Sequence, residues 1–366
     1  MTAPLMKKLL LTVIIAGSAV AQNKNPQLEE VAEFGRNQPI GVAVQTSTNR
    51  LFVSFPHNEP FLYAVTEIKN GKRVPYPNEE WNTAAKDDRH YNNVQDMYTD
   101  DKGFLWVLDS KPAGNASVFG DSGKEKMGEF KLIQFDLSTN KEVKTYFFNG
   151  LPKDKSGLND VRIDTGKQLA YLSDPGLKAI VVLDLKTDTV RVVLQGDKST
   201  IVTPGYNLNI EGKDMLDDKG KPFSSNINGI ALTKDNKYFY YKPINHDNLY
   251  RIETKFLADV TLSGEALSAK VETVAKTGVT HGLECDANGN IYYGHSPSHS
   301  IKYVSPDGNV HTLVTDDRIV WPDSFGVGSD GYLYFSAAQI NRLPKYNKGE
   351  DKVTYPFRAY RVKMPK

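Results

Sequence analysis

The chain is patterned as short apolar runs joined in pairs by polar turns. The clearest unit runs from Asn228 to Tyr241. Ile230 to Leu232 is an apolar strand, Lys234-Asp235-Asn236-Lys237 is a turn, and Tyr238 to Tyr241 is an aromatic strand. Asp and Asn accept the left-handed backbone that tight turns need, and aromatic residues suit a pleated, half-buried surface. The same phrase recurs from Gly41 to Val53, Gln95 to Val107, Asp160 to Leu172, Gly282 to Tyr293 and Ser324 to Phe335. With Gly41, Gln95, Asp160, Gly229, Gly282 and Ser324 in register, successive copies are 54, 65, 69, 53 and 42 residues apart.

A self-similar hairpin at this spacing marks a propeller with one blade per repeat. A blade needs a second, outer hairpin, and several copies have one. Ile180 to Leu185 turns into Val190 to Leu194, Ile301 to Ser305 into Val310 to Val314, and Leu132 to Leu137 into Val143 to Tyr146. The pattern predicts an all-β fold, a six-bladed β-propeller, with residues 22–366 as one domain. A ring must also close. Glu30 to Phe34, near one end of the chain, is expected to pair with Phe357 to Val362, near the other, which leaves no free sheet edge there. Lys72 to Asn93, Ala113 to Glu129 and Gln195 to Ser225 lack a strand pattern and are expected to be loops on one rim.

The first residues have a different pattern. Lys7-Lys8, the apolar run Leu9 to Ala16 and the small-residue site Ala19-Val20-Ala21 read as a secretory signal peptide, residues 1–21. The run is too short to span a membrane. The mature protein is therefore expected to begin near Gln22, to lie outside the cytoplasm, secreted or periplasmic, and to be a monomer without a membrane span. Asn115-Ala116-Ser117 fits a glycosylation sequon.

Composition narrows the chemistry. A net charge of +1 gives no broad basic field for nucleic acid. The one cysteine, Cys285, allows no intramolecular disulfide and no thiolate cluster, and its inner-strand position reads as a small buried residue. No phosphate-binding glycine loop, nucleophile elbow, zinc-protease helix or EF-hand loop is present.

What remains is the mouth of the ring. The residue before each aligned position is Ile40, Val94, Asn159, Asn228, His281 and Asp323. Two are apolar, and four consecutive blades supply polar or ionisable groups. Amide oxygens and a carboxylate suit a hard divalent cation such as calcium. A His and an Asp in reach of one another suit general acid–base work, with His281 and Asp323 as the catalytic candidates. The same residue types also cap strand starts by bonding turn backbone. Trp321 is a candidate wall of the mouth; Trp81 and Trp106 read as packing residues. His295 and His299 have a spacing that fits metal chelation or a solvated loop.

The ordered series Val74-Pro75-Tyr76-Pro77-Asn78-Glu79-Glu80-Trp81-Asn82, Val94-Gln95-Asp96 with Leu105 to Asp109, Leu132 to Leu137, Asn159-Asp160-Val161, Gly229 to Leu232, Trp321-Pro322-Asp323 and Asn341-Arg342-Leu343-Pro344 resembles the Yellow/major royal jelly protein family. That resemblance implies a secreted six-bladed propeller. Its members include proteins linked to dopachrome conversion, binders of biogenic amines and nutritive proteins. It also implies Asn341 as a ligand contact. More distantly, Asn228-Gly229 and Asn159-Asp160 are similar to positions of gluconolactonase/regucalcin-like propellers. Where those place a metal-ligand Asp this chain has His281, and Ile40-Gly41 stands where a glutamate ligand is expected.

The leading expectation is a small aromatic or amine-bearing ligand held at the mouth by Asn159, Asn228 and Asn341. Asp323 would pair with its cation, and Trp321 or Phe325 would give an aromatic face. If the protein is catalytic, proton transfer such as tautomerisation would use His281 as base. The alternatives are a metal-dependent, lactonase-type hydrolase and a non-catalytic interaction propeller that uses its rim loops.

Overall fold

The computed structural model describes residues 27–57, 60–83, 89–110 and 130–365. Residues 1–21, read above as a signal peptide, the Asn115-Ala116-Ser117 triplet and the segment 113–129 lie outside them. Six four-stranded antiparallel sheets form six blades. Their innermost strands are Val42–Gln45, Val94–Thr99, Val161–Asp164, Ile227–Leu232, Leu283–Cys285 and Pro322–Val327, taken here as blades 1 to 6. Each of these strands touches the innermost strand of both neighbouring blades, so the ring is closed around a central channel.

The hairpin turns form for the reason read from their residues. Asn236, in the turn of blade 4, has φ of 57°, and the strands it joins pair Leu232 with Phe239 and Ile230 with Tyr241. In blade 6 the fourth strand comes from the other end of the chain. Glu29–Glu33 pairs antiparallel with Arg358–Lys363, as the closure argument requires. The seam adds surface ion pairs, Arg358 with Glu30 at 2.9 Å and Arg361 with Glu29 at 2.7 Å. Exposed pairs of this kind contribute little; the strand pairing holds the ring.

Sheet faces pack against sheet faces, and six apolar clusters fill the spaces between adjacent blades. Cys285 is buried between blades 4 and 5, and Trp106 between blades 2 and 3. A seventh cluster sits over the channel mouth. It joins Leu208, Ile210, Met215 and Phe223 of the long segment after blade 3 to Ile40, Val279, Trp321 and Ile340.

Two expectations change. Lys72–Pro75 is a strand, the outermost of blade 1. It alternates exposed with half-buried side chains and carries Lys and Arg, so it has no apolar stripe to read. Residues 195–225 are not merely rim: they hold a short hairpin, Asn209–Ile210 with Lys213–Asp214, and cap the mouth. Blade 4 also carries two five-residue helices, Thr254–Ala258 and Gly264–Ser268, between its outer strands.

The channel wall is tightest where blades 4, 5 and 6 meet. A Cβ on Gly229 would lie 2.1 Å from the His281 carbonyl oxygen, and one on Gly282 would lie 2.0 Å from that of Asp323. Backbone cannot yield as a flexible side chain can. Gly229→Ala and Gly282→Ala should therefore each destabilise the ring by about 1–3 kcal/mol or more, the usual range for an overpacked interior. Urea melts of the two variants beside wild type measure this; unchanged midpoints would contradict the close approach.

Candidate functional site

Bulges set the chemistry of the mouth. The pairing of the first two strands slips between Val94 and Asp96, between Ile227 and Ile230, and between Pro322 and Phe325. A bulge re-aims side chains at a strand end. At this level Asn159, Asn228 and Asp323 remain half-buried, as does Asp160 one position further on. Ile40 and Val94 are buried, so the polar half of the mouth lies on blades 3, 4 and 6.

The carboxylates continue down the channel. Asp96 accepts the Val161 backbone N–H of the next blade at 3.0 Å and the Arg162 guanidinium, also at 3.0 Å. Arg162 reaches onward to the Leu283 carbonyl at 2.9 Å and lies 3.8 Å from Glu284, which Lys234 meets at 3.0 Å. Asp160 accepts the Asn159 amide at 2.7 Å and the Ile230 backbone N–H of blade 4. Four acids therefore share two cations. Asp96 and Glu284 take both; among the described residues Asp160 and Asp323 have no ion-pair partner. Burial raises the carboxyl pKa of Asp160 and of Asp323. Asp160 is held well above its ordinary range by burial and then by the neighbouring Asp96, with Arg162 opposing. Asp323 is pushed up to about 7 by burial, with the charge of Asp96 adding to the rise and the Trp321 hydrogen bond opposing it.

Trp321 governs Asp323. Its indole N–H donates to Asp323 Oδ1 at 2.9 Å, and no protein donor reaches Oδ2 among the described residues. The indole stacks on the His281 ring with centroids 4.0 Å apart, and Phe223 of the capping segment stands edge-on to it at 5.3 Å.

His281 is fully buried beneath this stack. Its Nε2 and the Ser296 hydroxyl lie 2.6 Å apart, and Nδ1 has no partner. Burial first, then His295 and Lys242, lower its pKa to about 3. Lys242 is also fully buried. Its ammonium donates to the Pro243 and His246 carbonyls, and burial lowers it to about 7.

The expected site residues thus fall into four places, counting His281 sealed beneath Trp321. Asn159, Asn228 and Asp323 gather at the mouth, with Trp321 walling it. Asn341 sits apart, lining a groove of about 760 Å³ between the capping hairpin and residues 341–352, where its Oδ1 is buried without a partner. Phe325 is not at the mouth. Beyond the bulge it packs on Phe335, with centroids 5.8 Å apart, in the core between blades 5 and 6. Reading the residue level alone missed Asp96, Asp160, Arg162 and Glu284. Their signal was charge inside otherwise apolar inner strands, such as Asp160-Val161-Arg162-Ile163.

A cation site fits poorly here. Calcium takes six to eight oxygens. The mouth has two amides and one half-satisfied carboxylate, while Ile40 is buried under the cap and His281 is taken up by Ser296 and Trp321. Among the described residues no group of three or more His, Cys, Asp or Glu could hold a metal. His295 and His299 diverge: the first bonds Ser298 at 2.6 Å, and the second lies beside the Ile319 carbonyl and Glu211. No helix among the described residues is long and apolar enough to cross a membrane.

The buried imidazole generates a pH prediction. An unfolded His takes a proton near pH 6.5, whereas His281 refuses it until about pH 3. Stability is therefore lost as pH falls from 6.5 toward 3. In His281→Phe, which keeps a ring beside Trp321, the drop in melting temperature between pH 7.5 and pH 4.5 should be smaller than in wild type. An equal drop would show that His281 is not held neutral.

Comparison with known proteins places this geometry. Residues 92–365 match the family model described as major royal jelly protein. Major royal jelly protein 5 of Apis mellifera is 26% identical over 198 residues, 52% of this chain, and the match spans only 31% of that relative's length. Among solved structures, a luciferin-regenerating enzyme superposes with a TM-score of 0.56 at 14% identity, covering 93% of this chain and 95% of its own. A gluconolactonase from Xanthomonas campestris gives 0.55 at 10% identity, with 93% and 90% covered. The calcium-binding protein regucalcin from Agrobacterium tumefaciens gives 0.54 at 12%, with 92% and 93% covered. At such identities these structures speak for the propeller alone. The family model covers most of the chain, and this six-bladed propeller belongs to the major royal jelly protein family.

Proposed function

We propose that this propeller binds a small molecule carrying a protonated amine, with an aromatic body, at the central mouth. The observation that carries the reading is the unbalanced carboxylate of Asp323. It is half-buried and fixed through one oxygen by Trp321, and the other oxygen lacks a protein donor among the described residues. A buried carboxylate is a strong partner for an ammonium group, since a charge-assisted bond there meets little competition from water. Asn159 and Asn228 start the inner strands of blades 3 and 4 and stay half-buried there, with amide groups for hydroxyl or ring substituents. Asn341, in its separate groove, would touch only a ligand extending beyond the mouth.

If the protein acts on its ligand, proton transfer fits best. A group with pKa near the working pH transfers protons most effectively, and Asp323 at about 7 meets that condition. His281, neutral down to about pH 3 and sealed beneath Trp321, supports the wall rather than meeting the ligand. In this reading the leader at residues 1–21 exports the protein, and the amino terminus of the mature chain, read by Edman degradation or mass spectrometry, should be Gln22. An uncleaved chain would contradict export by this route.

Calorimetric titration with phenethylamine and tyramine tests the ligand reading. Affinity should be greatest above pH 7.5 and should fall roughly tenfold per pH unit below 7 as Asp323 takes a proton. Asp323→Asn should weaken it by about 10–100-fold, the loss expected for one charged hydrogen bond. Absence of binding by either amine would overturn the proposal. Stoichiometric calcium binding in the same cell, lost in Asn228→Ala, would favour the hydrolase reading in its place.

A further inference from the structure

We infer that Trp321 is a positioning residue: its indole N–H, held in place by stacking on His281 and Phe223, selects which oxygen of Asp323 is offered to the channel. Three independent features of geometry converge on this. Trp321 has φ of 51°, a left-handed conformation that a bulky side chain adopts only when its surroundings impose it. The indole is fully buried, with His281 against it at 4.0 Å and Phe223 edge-on at 5.3 Å. The one polar atom of that ring points at Asp323 Oδ1 from 2.9 Å. An apolar wall needs none of this aim; phenylalanine or leucine would fill the space without the N–H.

The stack explains why His281 is a buried imidazole instead of a phenyl ring. Its Nε2 is tied to Ser296 at 2.6 Å, which fixes the ring plane on which the indole lies. The capping segment completes the clamp through Phe223. The mouth carboxylate is thereby coupled to the cap: Phe223 holds Trp321, and Trp321 holds Asp323. The charged and titratable groups that bear on Asp323 are Asp96 and Asp160 from blades 2 and 3, with Arg162 bearing on both; His281 lies against the face of the indole, and Lys242 bears on His281. The indole N–H opposes the acids by favouring the ionised form of Asp323.

The inference concerns the free protein and stands apart from the identity of the ligand. The test is carbon-detected NMR of protein labelled at Asp side-chain carboxyls, with the Asp323 signal assigned by its loss in Asp323→Asn. Trp321→Phe keeps an aromatic ring and removes the N–H. Its Asp323 midpoint should move upward by about one pH unit, the effect of one hydrogen bond to the charged form. A folded Trp321→Phe with an unchanged midpoint would overturn the inference. Should that variant fail to fold, the intact protein still decides. The Trp321 indole N–H resonance should titrate together with the Asp323 carboxyl and lose its titration in Asp323→Asn, and an indole signal indifferent to pH would refute the contact. Amine titrations separate the two claims. A shifted midpoint without amine binding keeps Trp321 as the positioner and removes the proposed ligand. Amine binding with the same pH dependence in wild type and Trp321→Phe does the reverse.

Discussion

Backbone meets backbone at the centre of this molecule, and the rest of the structure follows from that contact. Six strands converge on one channel, so adjacent inner strands approach more closely than side chains ordinarily permit. Two solutions appear. Where blades 4, 5 and 6 meet, Gly229 and Gly282 remove the side chain and let the neighbouring carbonyl in. Elsewhere a polar side chain caps the backbone N–H of the next blade: Asp96 takes that of Val161, Asp160 that of Ile230, and Ser324 Oγ that of Val42. One of these clips, Asp160, also borders the mouth.

This double use explains the electrostatics. A carboxylate is an effective clip because it accepts strongly, but each one placed in the channel adds charge to a poorly hydrated space. Arg162 and Lys234 neutralise the lower part. The upper part stays acidic, and there the apolar cap of Leu208, Ile210, Met215 and Phe223 keeps water scarce over Trp321. The unpaired carboxyl groups at the mouth are a consequence of how the ring is built: among the described residues neither Asp160 nor Asp323 has an ion-pair partner.

Much of the architecture was legible because the physics behind it is local. Turn residues, alternating apolar positions and the return of one phrase six times mark blades whatever surrounds them, and the closure partners Glu29–Glu33 and Arg358–Lys363 were found to within a residue. Lys72–Pro75 escaped because an edge strand in solvent carries no apolar code. The site was legible only in part. Asn159, Asn228 and Asp323 could be placed by strand register, yet a bulge shifts the register that follows it, and Phe325 accordingly lies in the core. The role of 195–225 as a cap depends on contacts with Trp321 and Ile340, about a hundred positions away or more. No local pattern encodes them.

The seam of blade 6 bears on how the molecule comes into being. Glu33 and Arg358 are 325 positions apart, so the strand that closes the ring is synthesised long before the strand it pairs with. Throughout synthesis it has no partner. Its side chains suit that wait: Glu29, Glu30 and Glu33 make a short acidic ribbon that resists pairing with strands of its own kind, and the complementary Arg358 and Arg361 follow more than 320 positions later. The charges that contribute little to the finished seam are also of one sign on each strand, which disfavours pairing of either edge with a copy of itself.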